Sequence, residues 1–164
     1  MKHFSNPTEV NMEKIKEQIE SLKSENKTMV LATKTSNNQA EASYVPYVYL
    51  NNTYYILLSQ IASHYDNISE MKEFQGMILE SEQSAINTFF RRRAIFNFMY
   101  EKINNADEIV EHFVSQHGEL VKKLLTMDFN IFELKLINGR AVLGAGQAFR
   151  LDENENIIEQ ITSK

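Results

Sequence analysis

The chain has no cysteine and no tryptophan, only two prolines and five glycines, and no apolar run near the length that a membrane helix needs. Lack of cysteine excludes a disulfide framework, thiolate metal sites and a cysteine nucleophile, and agrees with a reducing compartment. No segment joins a basic start, an apolar run and a small-residue cleavage site, so the chain is expected to be soluble, unexported and cytoplasmic. Positive charge is also scarce: 17 Lys and Arg stand against 22 Asp and Glu, and the net charge of −5 argues against nucleic acid as a partner. There is no glycine-rich phosphate loop, nucleophile elbow or metalloprotease helix signature.

What is present is an aromatic-rich globule. Of 164 residues 43% are hydrophobic, with seven tyrosines and ten phenylalanines, enough for one domain with its own core. Asn6-Pro7-Thr8-Glu9 has the form of a helix start, with Asn as cap and Pro at the first helical position; Ile15, Ile19 and Leu22 then share a face. From Thr28 the period shortens to two, and residues 28–33, 40–50 and 53–59 read as a β-meander turned at Ser36-Asn37-Asn38 and Asn51-Asn52. A short helix follows Ser63, and strands follow at 74–80 and 93–102. A helix opening at Asn105 carries Ile109, Val110, Phe113 and Val114, breaks at His117-Gly118 and resumes with Leu120, Val121, Leu124 and Leu125. Residues 128–149 are expected to form a closing hairpin turned at Asn138-Gly139, its second strand containing Gly144-Ala145-Gly146-Gln147-Ala148. The sum is an α+β, mainly β, fold whose antiparallel sheet curls into a small barrel.

Several residues have chemistry to offer. Gly144 and Gly146, two apart in a strand, would bare one face to a flat ligand; a bulge or barrel corner explains the same spacing. Arg91-Arg92-Arg93 lies between Phe89-Phe90 and Ala94-Ile95-Phe96, which suits a ligand with an apolar body and an anionic edge, such as a porphyrin or a flavin phosphate. The competing reading is a solvated strand start in which one Arg pairs with Glu80 or Glu82. Residues 59–68 pass from strand to helix, so free amides and His64 meet an anion there, or the same residues simply cap a turn. His64 reads either as a metal-type ligand and proton carrier or as a structural histidine. His112 and His117, five apart, are poorly spaced to share a ligand and read as surface residues. Asp128 either orients His64 or caps a strand.

Three stretches together resemble the HugZ/HutZ type of heme-utilisation proteins, a branch of the pyridoxamine 5′-phosphate oxidase-like FMN-binding split barrels. They are Ala42-Ser43-Tyr44-Val45-Pro46-Tyr47; residues 59–68 with Ala62, His64 and Asn67; and Phe89-Phe90-Arg91-Arg92-Arg93 with Asp128-Phe129 and Gly139-Arg140 through Gly144-Ala145-Gly146-Gln147-Ala148-Phe149. The resemblance spans residues 27–151 and implies an antiparallel split β-barrel with peripheral helices, preceded by an N-terminal helix in 1–26 and followed by a tail in 152–164. It further implies a homodimer with ligand sites at the subunit interface, and a protein of heme-iron utilisation that binds heme and supports its oxidative breakdown. Arg91, Arg92 and Arg93 would lie near the heme, Ser43, Tyr44 and Asn67 would line the cofactor site, and Gly144 and Gly146 would lie near the dimer seam or in the wall of the cofactor pocket. Such proteins take their axial ligand from a histidine in the C-terminal tail, yet no His follows Phe149 here, so iron would need His64 or another His as ligand. Two alternatives stand beside this: an FMN-dependent oxidoreductase of the same fold, and a dimer that binds neither cofactor. Flavin-binding relatives place Arg or Lys just after the position of His64 to hold the phosphate, whereas here Tyr65 and Asp66 follow.

Overall fold

Alternation from Thr28 onward is realised as an antiparallel sheet in the computed structural model, which describes residues 9–162. In chain order the elements are α1 (Glu9–Glu25), β1 (Thr28–Lys34), β2 (Ala40–Leu50), β3 (Thr53–Ser59), α2 (Ser63–Met71), β4 (Glu73–Leu79), β5 (Arg93–Ile103), α3 (Asp107–His117), α4 (Leu120–Leu125), β6 (Phe129–Gly144), β7 (Gln147–Leu151) and β8 (Ile157–Ile161). The strands run β3-β2-β1-β4-β5-β6-β7-β8, and a further β3–β6 pairing closes the barrel, leaving β7 and β8 as an extension. Closure removes the edges that β3 and β6 would otherwise expose. The expected cap at Asn6-Pro7-Thr8, and His3, lie outside the described residues.

The barrel interior takes every second side chain: Met29 and Leu31 of β1, Phe74 and Ile78 of β4, Phe96 and Phe98 of β5, and Phe132 and Leu134 of β6. Ile19 and Leu22 of α1 and Ile68 of α2 join this core, so α1 is packed as part of the barrel. Tyr47 fixes the end of α1, its hydroxyl donating to the carbonyls of Lys23 (2.6 Å) and Asn26 (3.1 Å), which a helix end otherwise leaves unpaired. A second core lies outside the barrel, where Ile109, Phe113 and Val121 of α3 and α4 cover Val48, Tyr55, Leu57 and Ile131. The outer face of β1, the first half of β2, β4, β5, β7 and β8 is open. There Tyr44 is 69%, Val30 40% and Ile158 62% exposed.

The meander forms as expected, with Asn51 (φ 52°) and Asn52 (φ 59°) both left-handed in the β2–β3 turn, a conformation Asn tolerates. The closing hairpin does not. Asn138-Gly139 is no turn: β6 runs straight through it, with Asn138 opposite Asn97 and Gly139 opposite Phe96. The glycine answers a steric demand instead, because a Cβ there would lie 2.7 Å from Phe96 Cδ1 and 2.9 Å from the Ile95 carbonyl oxygen. The turn falls seven residues later, at Ala145-Gly146, where Gly146 has φ 69° and Gly144 pairs with Gln147. Residues expected as a tail supply β8, held to β7 by Ala148–Ile161 and Arg150–Glu159 pairing.

Candidate functional site

Two groups of candidate residues occupy opposite ends of the sheet. The first gathers where β1 and β2 meet the start of α2. Strand alternation turns Glu41 and Ser43 to the same side of β2, and Thr33 pairs with Glu41 across β1. Ser43 Oγ lies 2.9 Å from His64 Nδ1. Asn67 is buried and donates its amide to Thr33 Oγ1 (3.1 Å) and Glu41 Oε1 (3.2 Å), while the Ser63 hydroxyl donates to the same carboxylate oxygen. Burial lowers the pKa of half-buried His64, and the Glu41 carboxylate offsets this in part. Burial thus favours the neutral ring, with Nδ1 engaged by Ser43 and Nε2 without a hydrogen-bond partner among the described residues.

Asp128 is near this group but does not orient His64. It accepts a hydrogen bond from Ser59 Oγ, and its carbonyl accepts from the Gln60 amide at 2.9 Å. Ser43 takes the orienting place because the β3–α2 turn carries His64 over β2. Tyr65, one residue on, has its hydroxyl bonded by Asn130 Nδ2 at 3.0 Å. Glu41, Thr33 and Ser63 were missed by sequence reasoning. The signal for Glu41 was available, since it stands two residues from Ser43 on an alternating strand.

The second group is the arginine run. Arg91 donates from Nε (2.9 Å) and Nη2 (2.6 Å) to the Glu80 carbonyl. Arg92 offers its backbone amide and its Nε, each at 2.9 Å, to the two carboxylate oxygens of buried Glu80, and reaches Glu25 of α1 at 3.3 Å. Burial works to raise the Glu80 pKa, but the amide and guanidinium of Arg92, helped by Arg91, outweigh it and hold the carboxyl below its ordinary value. The pairing with Glu80 that a solvated strand start suggests is thus present, and it ties both ends of the 80–92 loop. Arg93 differs: its Nη1 meets the Arg91 carbonyl at 3.1 Å, and it forms no ion pair among the described residues.

Arg93 stands opposite Leu79 and Val142, so the Gly144–Gly146 turn lies at the arginine end. Tyr44, paired with Val30, projects from the open outer face. Thr33 and Glu41 belong to the far end, one residue beyond the Ala32–Gln75–Asn97 row. Four residues of β5 separate Asn97 from Arg93, about 13 Å of strand, so one chain does not bring His64 and the arginines together. Between them the outer face carries an amide ladder, Gln75 to Asn97 (2.9 Å) to Asn138. A groove of about 520 Å³ beside Lys34 and Glu73 lies on one side of it, and one of about 490 Å³ beside Arg140, Arg150 and Ile158 on the other.

His112 and His117 are not simply surface groups: His117 Nε2 is 2.9 Å from the Tyr47 carbonyl and His112 Nε2 is 3.1 Å from Gln116 Nε2, both half-buried. Among the described residues no three His, Asp or Glu gather as a metal site, and no helix is long and apolar enough to cross a membrane.

No family model matches the chain. It is 27% identical over 147 residues to heme oxygenase HutZ of Vibrio cholerae serotype O1, covering 87% of this chain and 84% of that protein. The crystal structure of that organism's HutZ, described as a heme storage protein, superposes with TM-score 0.71 at 26% identity over 78% of this chain and 93% of that one. Campylobacter jejuni ChuZ gives TM-score 0.84 at 26% identity, covering 92% of this chain; the chain spans 63% of the ChuZ chain. A pyridoxamine 5′-phosphate oxidase-like protein of Listeria innocua, at 11% identity and TM-score 0.57 over 77% of this chain and 97% of that one, shares the fold alone. The resemblance to HutZ-type proteins and the split-barrel architecture are both borne out.

Proposed function

We propose that the chain is a cytoplasmic heme-iron utilisation protein that binds heme at the interface of a homodimer and supports its oxidative degradation. The observation that carries this reading is the likeness to a heme oxygenase over 87% of the chain. The residues present fit the group. In the tautomer whose Nδ1–H donates to Ser43 Oγ, His64 Nε2 holds a lone pair, and burial favours the neutral ring that a metal ligand needs. Arg93 has a guanidinium free of carboxylates for a propionate, while Arg91 and Arg92 hold the loop behind it. Iron would supply the electron chemistry; the chain's part is to bind, orient and exclude water.

The open sheet face supports the proposed dimer. Val30, Tyr44, Met77, Ile95 and Ile158 make an apolar surface that no described helix covers, interrupted by an amide ladder able to pair with a second copy. A ligand touching both the His64 end and the Arg93 end draws on two subunits in this reading, because one chain holds the two ends apart. The test is hemin titration of wild type, His64→Ala and Arg93→Ala with sedimentation of each. A dimer whose Soret band shifts in His64→Ala, and whose affinity falls in Arg93→Ala, supports the reading. A monomer, or a band indifferent to both changes, contradicts it.

The shared fold with a pyridoxamine 5′-phosphate oxidase-like protein favours one second reading, an FMN-dependent oxidoreductase. A purified protein that is yellow and releases FMN on denaturation would support that reading over the first.

A further inference from the structure

Five donor-bearing side chains, Thr33, Ser43, Ser63, His64 and Asn67, meet over the first turn of α2, and a single carboxylate, Glu41, sits among them. Its Oε1 accepts from the Ser63 hydroxyl and from the Asn67 amide at 3.2 Å. Asn67 is 8% exposed and Thr33, whose hydroxyl accepts from it, 4%, so the Asn67 donor is fixed in place, whereas Ser63 opens the cradle to solvent. Ala62, at the helix start, provides no side-chain cap. Glu41 therefore stands, relative to the helix, where an external anion would: on the positive end of the peptide dipoles, with side-chain donors already converged on it.

We propose that Glu41 is a specificity-determining residue, an internal anion whose carboxylate fills this cradle and keeps phosphate monoesters, flavin mononucleotide among them, from binding there. The proposal rests on the heme reading above and deepens it by naming what turns the barrel away from phosphorylated flavins. Two effects act in the same direction. The carboxylate takes the Ser63 and Asn67 hydrogen bonds that a phosphate oxygen would need, and its charge, with Asp66 in the same first turn, repels the phosphate. Displacing Glu41 would also leave its charge without the donors it now has.

The experiment compares FMN with riboflavin, which has the same ring and no phosphate. Wild type, Glu41→Ala and Glu41→Gln are titrated with each flavin by fluorescence quenching, with folding checked by circular dichroism. Wild type should show no preference for FMN. Glu41→Ala should prefer FMN to riboflavin by about tenfold or more, the size of one charge-assisted contact, and inorganic phosphate should compete. Glu41→Gln keeps the shape and the Ser63 and Asn67 contacts, so it should fold as wild type and shift the same way by less. A phosphate-dependent preference already present in wild type, or its absence from both variants, would overturn the proposal. Hemin titration of wild type runs in parallel and tests the functional reading by itself: failure to bind hemin defeats that reading, while the FMN-to-riboflavin ratio still decides the role of Glu41.

Discussion

Replacing Lys23 by Met should destabilise the protein by about 3–5 kcal/mol, because it strands a buried carboxylate. The Lys23 side chain is 3% exposed and its ammonium lies 3.0 and 3.1 Å from the two oxygens of Glu155, whose own side chain is 10% exposed. The same nitrogen sits 3.5 Å from the centroid of the Tyr49 ring, and the Tyr54 hydroxyl donates to Glu155 at 3.1 Å. Glu155 belongs to the β7–β8 turn, in a left-handed conformation (φ 61°), so the pair joins α1 to that turn. Removing one ion leaves the other desolvated, which costs more than the pair contributes when intact. Glu155→Gln should cost less, about 1–3 kcal/mol, since Lys23 keeps Glu20 at 3.1 Å and the tyrosine face. The double variant should recover most of the loss, giving a coupling energy of about 2 kcal/mol or more in a double-mutant cycle. Urea unfolding of the four proteins measures this. Single losses under about 1 kcal/mol that simply add would refute it, and would mean that the pair is solvated.

Three further outcomes are expected. Gly139→Ala should cost about 1–3 kcal/mol in urea unfolding, since the new methyl meets the Phe96 ring at 2.7 Å and a backbone oxygen at 2.9 Å; an unchanged midpoint would show that β6 gives way there. Arg92→Ala should speed hydrogen exchange in residues 81–91 with little effect on hemin affinity, while Arg93→Ala should weaken hemin by about tenfold and leave exchange unchanged; the reverse pattern would exchange their roles. The His64 ring should titrate below the ordinary 6.5 because burial lowers its pKa, and Glu41→Gln should move it lower still. The unfolded chain then binds a proton that the folded one does not, so stability from this group is complete above 6.5 and is lost as pH falls through the window below it. An NMR midpoint at or above that value would contradict the burial.

The local elements were legible because their cues are local. Alternation placed β2 and β3, the Asn51-Asn52 pair marked their turn, and the stripe of Ile109 and Phe113 marked α3. Asn138-Gly139 misled for a physical reason: the dipeptide suits a tight turn, but only the ring of Phe96 on a neighbouring strand explains why glycine is needed. The helix-to-turn pair of Lys23 and Glu155 spans 132 positions and leaves no local trace. At the candidate site His64, Ser43 and Asn67 stand out in the sequence, yet the side chain that meets His64 is Ser43, while Asp128 is bonded by Ser59, because a helix–strand contact 21 positions apart is set by tertiary packing. The arginine run stands out in the sequence as a dense positive cluster; which member forms no ion pair among the described residues depends on Glu80, eleven residues before Arg91, and on the geometry of the loop between them.

The central claim is that this chain binds heme through its own residues, and an absorbance titration of the purified protein with hemin tests it most directly. The account predicts a saturable Soret band distinct from that of free hemin, moved by His64→Ala and unaffected by added FMN. A spectrum that remains that of free hemin at every ratio would contradict it.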